Sequence, residues 1–330
     1  MGAVQTTGTG RLGRDVSVVG LGAWQLGGDW GEVGDDAAHA VLEAAVGDGI
    51  SFLDTADVYG DGRSERLVGE AVRRHPGAGV TVATKMGRRV DQLPENYTLA
   101  AFREWTDRSR QNLRVDTLDL VQLHCPPTPV YSDDAVHDAL DTLVQEGVVA
   151  AYGVSVETCA QALTAIARPG VASVQIILNC LRQKPLDEVL PAAAAAGVAV
   201  IARVPLASGL LSGRYDEQTT FAADDHRTYN RTGEAFDVGE TFAGVPYDVG
   251  LAAVRELRAF VPEGVPMARF ALRWIVDQPG LTVVIPGARN AEQVHGNAAA
   301  SDLAPLTPAQ LAGVRDVYDR LVRPHVHDRW

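Results

Sequence analysis

Three short segments end apolar runs on polar residues whose types suit proton chemistry. Phe52-Leu53-Asp54 closes on a carboxylate, and Tyr59 follows in Thr55-Ala56-Asp57-Val58-Tyr59-Gly60. Val82-Ala83-Thr84-Lys85 closes on a lysine, and Leu120-Val121-Gln122-Leu123-His124 on a histidine. A lysine cation near a phenol favours the phenolate, so Lys85 is expected to lower the Tyr59 pKa while Asp54 keeps the lysine charged and oriented. Tyr59 is then a usable general acid, and a neutral His124 can hydrogen-bond a carbonyl oxygen and hold it beside Tyr59. No covalent nucleophile with an adjacent base accompanies them, so acyl transfer fits poorly. Taken singly, Asp54 with Lys85 is a structural ion pair and His124, beside Pro126 and Pro127, a loop histidine. Their placement at three successive run ends is what favours chemistry. Asp57 is no second glycosidase carboxylate, because it shares a loop with Asp54 rather than facing it across a bond.

The elements that must position these groups alternate along the whole chain. Strands are expected near Val16–Gly20, Ser51–Asp54, Val80–Thr84, Leu118–Leu123, Ala150–Val154, Val174–Ile177, Val198–Ile201 and Thr282–Ile285. Helical segments lie between them, including Asp35–Asp48, Ser64–Arg74, Leu99–Leu113, Asp134–Glu146, Thr158–Ala167 and Leu186–Ala196. Eight strand–helix units in 330 residues, with no dividing linker, predict one (β/α)8 barrel domain over residues 1–330, whose site gathers at the C-terminal strand ends. A dinucleotide fingerprint of the doubly wound type is weak, because after Gly20 and Gly22 its third glycine would fall at Gln25. Residues 215–250, after the seventh strand, make a loop long enough to be a lid, and Pro308–Arg320 reads as an extra C-terminal helix. The following His325 and His327 are expected in a solvated tail rather than at a metal, and no metal site is expected elsewhere.

The opposite end of the expected site suits an anionic ligand. Ile285-Pro286-Gly287-Ala288-Arg289-Asn290-Ala291-Glu292-Gln293 is a strand end, a tight turn and a helix start, where barrels often bind phosphate. Arg289 can pair bidentately with a phosphate there, or else remain a solvated arginine. Ser155 and Gln175, at the fifth and sixth strands, can hydrogen-bond a carboxamide, although Gln175 equally fits a polar layer of the barrel. Pro205 to Gly213 is a Ser- and Gly-containing stretch that lets backbone groups approach an anion.

Composition narrows the partners. A net charge of −13 opposes binding to nucleic-acid backbones or anionic lipid surfaces, and no apolar run is long enough to span a membrane. Cys125, Cys159 and Cys180 lack metal or redox spacing, so a cytoplasmic protein is the default expectation. Oligomeric state has no signature in the sequence.

With these segments in order along the chain, the sequence resembles the aldo-keto reductases, close to the branch that includes channel β subunits. FLDTADVYG, ATKMG, LVQLH, YGVS and VIPGARNAEQVHGN carry the resemblance. It implies a barrel that reduces an aldehyde or ketone with NADPH, NADH being less expected. Asp54, Tyr59, Lys85 and His124 match the catalytic tetrad, with Tyr59 as the acid. Ser155 and Gln175 match the carboxamide-holding positions, and Asn179 matches more weakly. Gly22, Ala23 and Trp24 match the loop lining the nicotinamide and substrate pocket. Leu206, Ser208 and Leu211, with Pro205, fall in the pyrophosphate-covering loop. Gly287, Arg289, Gln293 and Asn297 fall in the adenosine-phosphate segment. Trp24 and Trp30 form an aromatic wall for substrate, or else pack beneath the lid. Two departures stand out: Val156 replaces an asparagine of many members, and Arg203 replaces a stacking aromatic. Arg203 is expected to turn toward a phosphate or to favour reduced cofactor, since a cation disfavours the oxidised ring. The alternative function is a cofactor-sensing regulatory subunit with little turnover.

Overall fold

The computed structural model describes residues 4–7, 10–28 and 33–330. Among them, eight parallel strands form one sheet: β1 Leu21–Gly22, β2 Phe52–Asp54, β3 Thr81–Met86, β4 Leu120–His124, β5 Tyr152–Ser155, β6 Val171–Ile177, β7 Ala199–Arg203 and β8 Val283–Val284. Each pairs with its sequence neighbour. Parallel bridges Val19 to Val284 and Gly22 to Gly287 join the edges and close the barrel.

Strands two to eight lie where the apolar runs placed them; the first does not. Val16–Ser17 pairs antiparallel with Thr6–Thr7, and the chain joins the barrel only after it, through the Val19 bridge to Val284 and the strand Leu21–Gly22. Alternation marks a strand but not the sheet it joins. Here the Ser17 hydroxyl accepts from Ser51 N at 2.9 Å and donates to Val19 O at 2.7 Å, which turns the ribbon under the barrel. Leu12 and Val16 from this segment pack with Phe52, Ala83, Leu120, Ile201, Val283 and Ile285, filling the N-terminal end of the barrel.

The two-residue period of a strand then sets the site. Two positions beyond Phe52, Ala83, Leu120 and Ile201 come Asp54, Lys85, Gln122 and Arg203, which share the inward face. The plug is apolar and the layer above it is polar. Capped amphipathic helices seal the outside: Thr98 caps Leu99–Leu113, Thr158 and Gln161 form a capping box on Cys159–Ile166, and Asn290 caps Ala291–Ala298.

The 215–250 segment is folded rather than loose. It contains a short helix, His226–Tyr229, and two 3-10 turns, Val238–Glu240 and Phe242–Gly244. Asn230 Oδ1 accepts from Ala235 N and Phe236 N, both at 2.9 Å. The extra C-terminal helix runs Pro308–Val317 and continues through a π turn into Arg323–Val326. The tail after it stands in solvent at Pro324 and His325 but packs at its other end. Val326 and Trp330 are buried, and the His327 ring bonds the Tyr318 hydroxyl at 2.9 Å. Trp330 Nε1 donates to Asp237 Oδ1 at 3.0 Å, with the Arg182 guanidinium 3.7 Å from its ring centre, so the tail pins the lid. No group of three metal-ligating side chains and no helix long and apolar enough to cross a membrane occurs among the described residues.

Candidate active site

A cavity of about 1000 Å³ opens at the C-terminal strand ends, lined by residues from the β1, β2, β4, β7 and β8 ends and from the lid. On one wall Lys85 Nζ forms an ion pair with Asp54, donates to Thr55 O at 2.9 Å and lies 3.5 Å from the Tyr59 hydroxyl. Asp54 Oδ2 also accepts from Gln175 Nε2 at 2.7 Å and Gln122 Nε2 at 3.3 Å. The carboxylate therefore has three donors, and each anchors it beside the lysine. The His124 ring stands edge-on to Tyr59 with centroids 5.9 Å apart, and Trp24 stacks on the other side at 6.0 Å. These four expected catalytic side chains and Trp24 are thus in one place.

Close backbone packing fixes Tyr59. Gly27 and Gly60 touch so tightly that a Cβ on Gly60 would stand 2.3 Å from Gly27 O, and Gly60 has φ +59°. The Ser64 hydroxyl donates to Ala23 O at 2.9 Å and accepts from Thr55, tying the β1 loop to the β2 loop.

The electrostatics differ from the expectation in one respect. Burial pushes the Tyr59 hydroxyl above the ordinary phenol range; Lys85 pulls it down, but Asp54 and Glu240 push it up. Burial outweighs the pull of the lysine charge. Lys85 itself is held charged: burial lowers its pKa, but Asp54 and Tyr59 more than offset that. His124 is kept neutral at physiological pH by burial and then by the Arg88, Lys85 and Arg203 cations.

The remaining expected residues divide. Gly22, Ser155, Gln175, Arg203, Pro205, Leu206, Ser208, Gly287, Arg289, Gln293 and Asn297 line the cavity. Ala23 and Leu211 do not; both are fully buried in the surrounding core. Asn179 is also turned away, donating to Val204 O at 2.9 Å and accepting from Leu181 N at 2.8 Å. Trp30 lies outside the described residues. The Ser155 hydroxyl accepts from Cys125 N at 3.0 Å, and that of Ser208 donates to Glu240 O at 2.9 Å. Arg203 is not turned toward the Arg289 segment. It pairs with Glu240 of the lid and donates to Val156 O at 2.9 Å.

Several residues escaped the sequence reading. Gln122 sits inside the LVQLH run, two positions before His124, and the inward period alone would have found it. Arg88 donates to His124 O at 3.1 Å and lines the cavity, as do Gln25, Cys125, Phe236 and Glu240. The lid residues carry no local signal, because loop conformation decides what they reach.

A dinucleotide fits this cavity. Arg289 is exposed at the start of the Ala291–Ala298 helix, where backbone donors and a guanidinium suit a phosphate. A Cβ on Gly287 would stand 2.2 Å from the Gln25 amide, so that amide lies directly against the bare backbone of the turn. The sequence model of the Aldo/keto reductase family matches residues 18–319. Aldo-keto reductase YhdN of Bacillus subtilis is 29% identical over 88% of this chain and 87% of its own. A probable voltage-gated potassium channel subunit beta of Arabidopsis thaliana is 26% identical over 95% and 96%. The glycerol dehydrogenase AKR11B4 of Gluconobacter oxydans superposes with a TM-score of 0.77 at 30% identity, covering 98% and 96%.

Proposed function

Because the chain belongs to the aldo/keto reductase family, we propose that it reduces an aldehyde or ketone to an alcohol with NADPH, Tyr59 acting as general acid. When bound, NADPH would supply the hydride; Arg289, Gln293 and Asn297 would hold its adenosine phosphate, and Ser155 and Gln175 its carboxamide. His124, neutral and edge-on to Tyr59, donates to the substrate oxygen and orients it. Tyr59 gives its proton to that oxygen as the negative charge develops, and the Lys85 cation 3.5 Å away steadies the resulting phenolate. Asp54, fastened by Gln122 and Gln175, keeps Lys85 in place. Trp24 and Phe236 give the substrate end an aromatic wall. The observation that carries this reading is the meeting of Asp54, Tyr59, Lys85 and His124 at the foot of one cavity that also reaches Arg289.

The test is NADPH oxidation against aldehydes, ketones, sugars and polyol-derived ketones, the last because one similar protein is a glycerol dehydrogenase. Tyr59→Phe should lower kcat by about 10²- to 10⁴-fold with NADPH affinity retained. Equal turnover by both proteins removes Tyr59 from the chemistry. NADPH binding without turnover in the wild type favours the regulatory reading, which similarity to channel β subunits keeps open.

A further inference from the structure

Gln25 lines the cavity, yet its Oε1 is sealed from solvent with no hydrogen-bond partner among the described residues. Such an orphan is uncommon, and a ligand that brings a donor removes its cost. Its amide head lies directly over Gly287: a Cβ there would be 2.2 Å from both Oε1 and Nε2. Gly22 N donates to Pro286 O at 3.0 Å alongside, so the amide sits above the seam where β1 meets the turn after β8. The cavity that Gln25 and Gly287 line also carries the Trp24–Tyr59 pair and Arg289.

In a dinucleotide reaching from Tyr59 to Arg289, the sugars and phosphates lie between the two rings, and Gln25 lines the same cavity as both ends. A ribose hydroxyl supplies the donor that Oε1 lacks, and the amide NH2 supplies a donor to a phosphate oxygen. We propose that Gln25 is a cofactor-binding residue, its carboxamide accepting a hydrogen bond from the nicotinamide-side ribose and donating one to the adjoining phosphate. This rests on the NADPH reading above. Gln25 then occupies the space that a side chain at position 287 would take.

The experiment is titration calorimetry of the full chain with NADPH and with adenosine 2′,5′-bisphosphate, which lacks the nicotinamide-side ribose and phosphate. Gln25→Leu preserves the volume and removes both polar atoms. It should raise the NADPH Kd about tenfold and leave the bisphosphate within twofold. Gln25→Glu keeps an acceptor but sets a carboxylate against the phosphate, so its NADPH Kd should rise further and recover partly with salt. The ligand-free melting temperature of Gln25→Leu should equal or exceed that of wild type. NADPH affinities within twofold of wild type in both variants overturn the proposal. So does an equal loss for both ligands, with or without a fall in melting temperature, because the amide then serves the fold. A wild type that binds neither ligand refutes the NADPH reading itself, an outcome distinct from tight wild-type binding that Gln25 does not influence.

Discussion

Asp57 follows Asp54 on the loop that carries Tyr59, fully buried, with neither carboxyl oxygen hydrogen-bonded among the described residues. Burial, and then the charge of Glu65, push its pKa up to about 7, against weaker pulls from Arg89 and Arg108. The folded chain therefore holds this proton more tightly than the unfolded one. Its contribution to stability falls as pH rises from the ordinary carboxylate range through about 7, by up to about 4 kcal/mol. Asp57→Asn should raise the melting temperature at pH 8 and raise it less at pH 5; a gain independent of pH would contradict this. At this scale much of the site was legible. Asp54, Lys85 and His124 each interrupt an apolar strand end, which a two-residue period exposes. Gln25 was not, because it lies in the one-turn helix Trp24–Gly27, where no period distinguishes a cavity residue from a surface one. The direction of the Tyr59 shift was also missed: a sequence shows that a lysine is near, but not that burial of the hydroxyl outweighs its pull.

Between elements, the contact that matters is the ion pair from Arg203 on β7 to Glu240 on the lid. Both side chains are about nine-tenths buried, at 9% and 11% exposure, so each partner has little water to fall back on beyond the cavity it borders. Burial and Glu240 act oppositely on Arg203, and Glu240 with its other acidic and thiol neighbours prevails, leaving it firmly charged. Glu240→Ala leaves that cation unpaired and should cost about 3–5 kcal/mol, read in chemical denaturation as a lower midpoint. Glu240→Gln, which keeps an acceptor, should cost less; an Ala variant as stable as wild type would show that the pair is dispensable. The sequence identified Arg203 as unusual and the lid as long. Their connection needed three dimensions, since Glu240 is one acidic residue among several in its segment. The strands illustrate the same limit: the seven later ones follow from their apolar runs, whereas Val16–Ser17 alternates as a barrel strand does and yet belongs to the ribbon beneath it.

The whole molecule joins its extremes across the barrel. The N-terminal ribbon plugs one end, and the C-terminal segment returns to the other, where Trp330 meets Asp237 and packs against Gly244. Trp330→Ala should leave the barrel's melting transition nearly unchanged while making residues 215–250 more readily cut by protease, because local opening tracks local contacts. Protection equal to wild type would mean the lid holds itself. The barrel was legible in the alternation of runs, but the packing of the tail was not: Pro324 and His325 are exposed as expected, whereas His327 is half-buried and Val326 and Trp330 are buried. The tail contact also bears on how the protein is made. Synthesis proceeds from the N-terminus and early parts fold first, so the lid emerges well before the tryptophan that fastens it. Throughout that interval the barrel can close while its mouth stays unlatched.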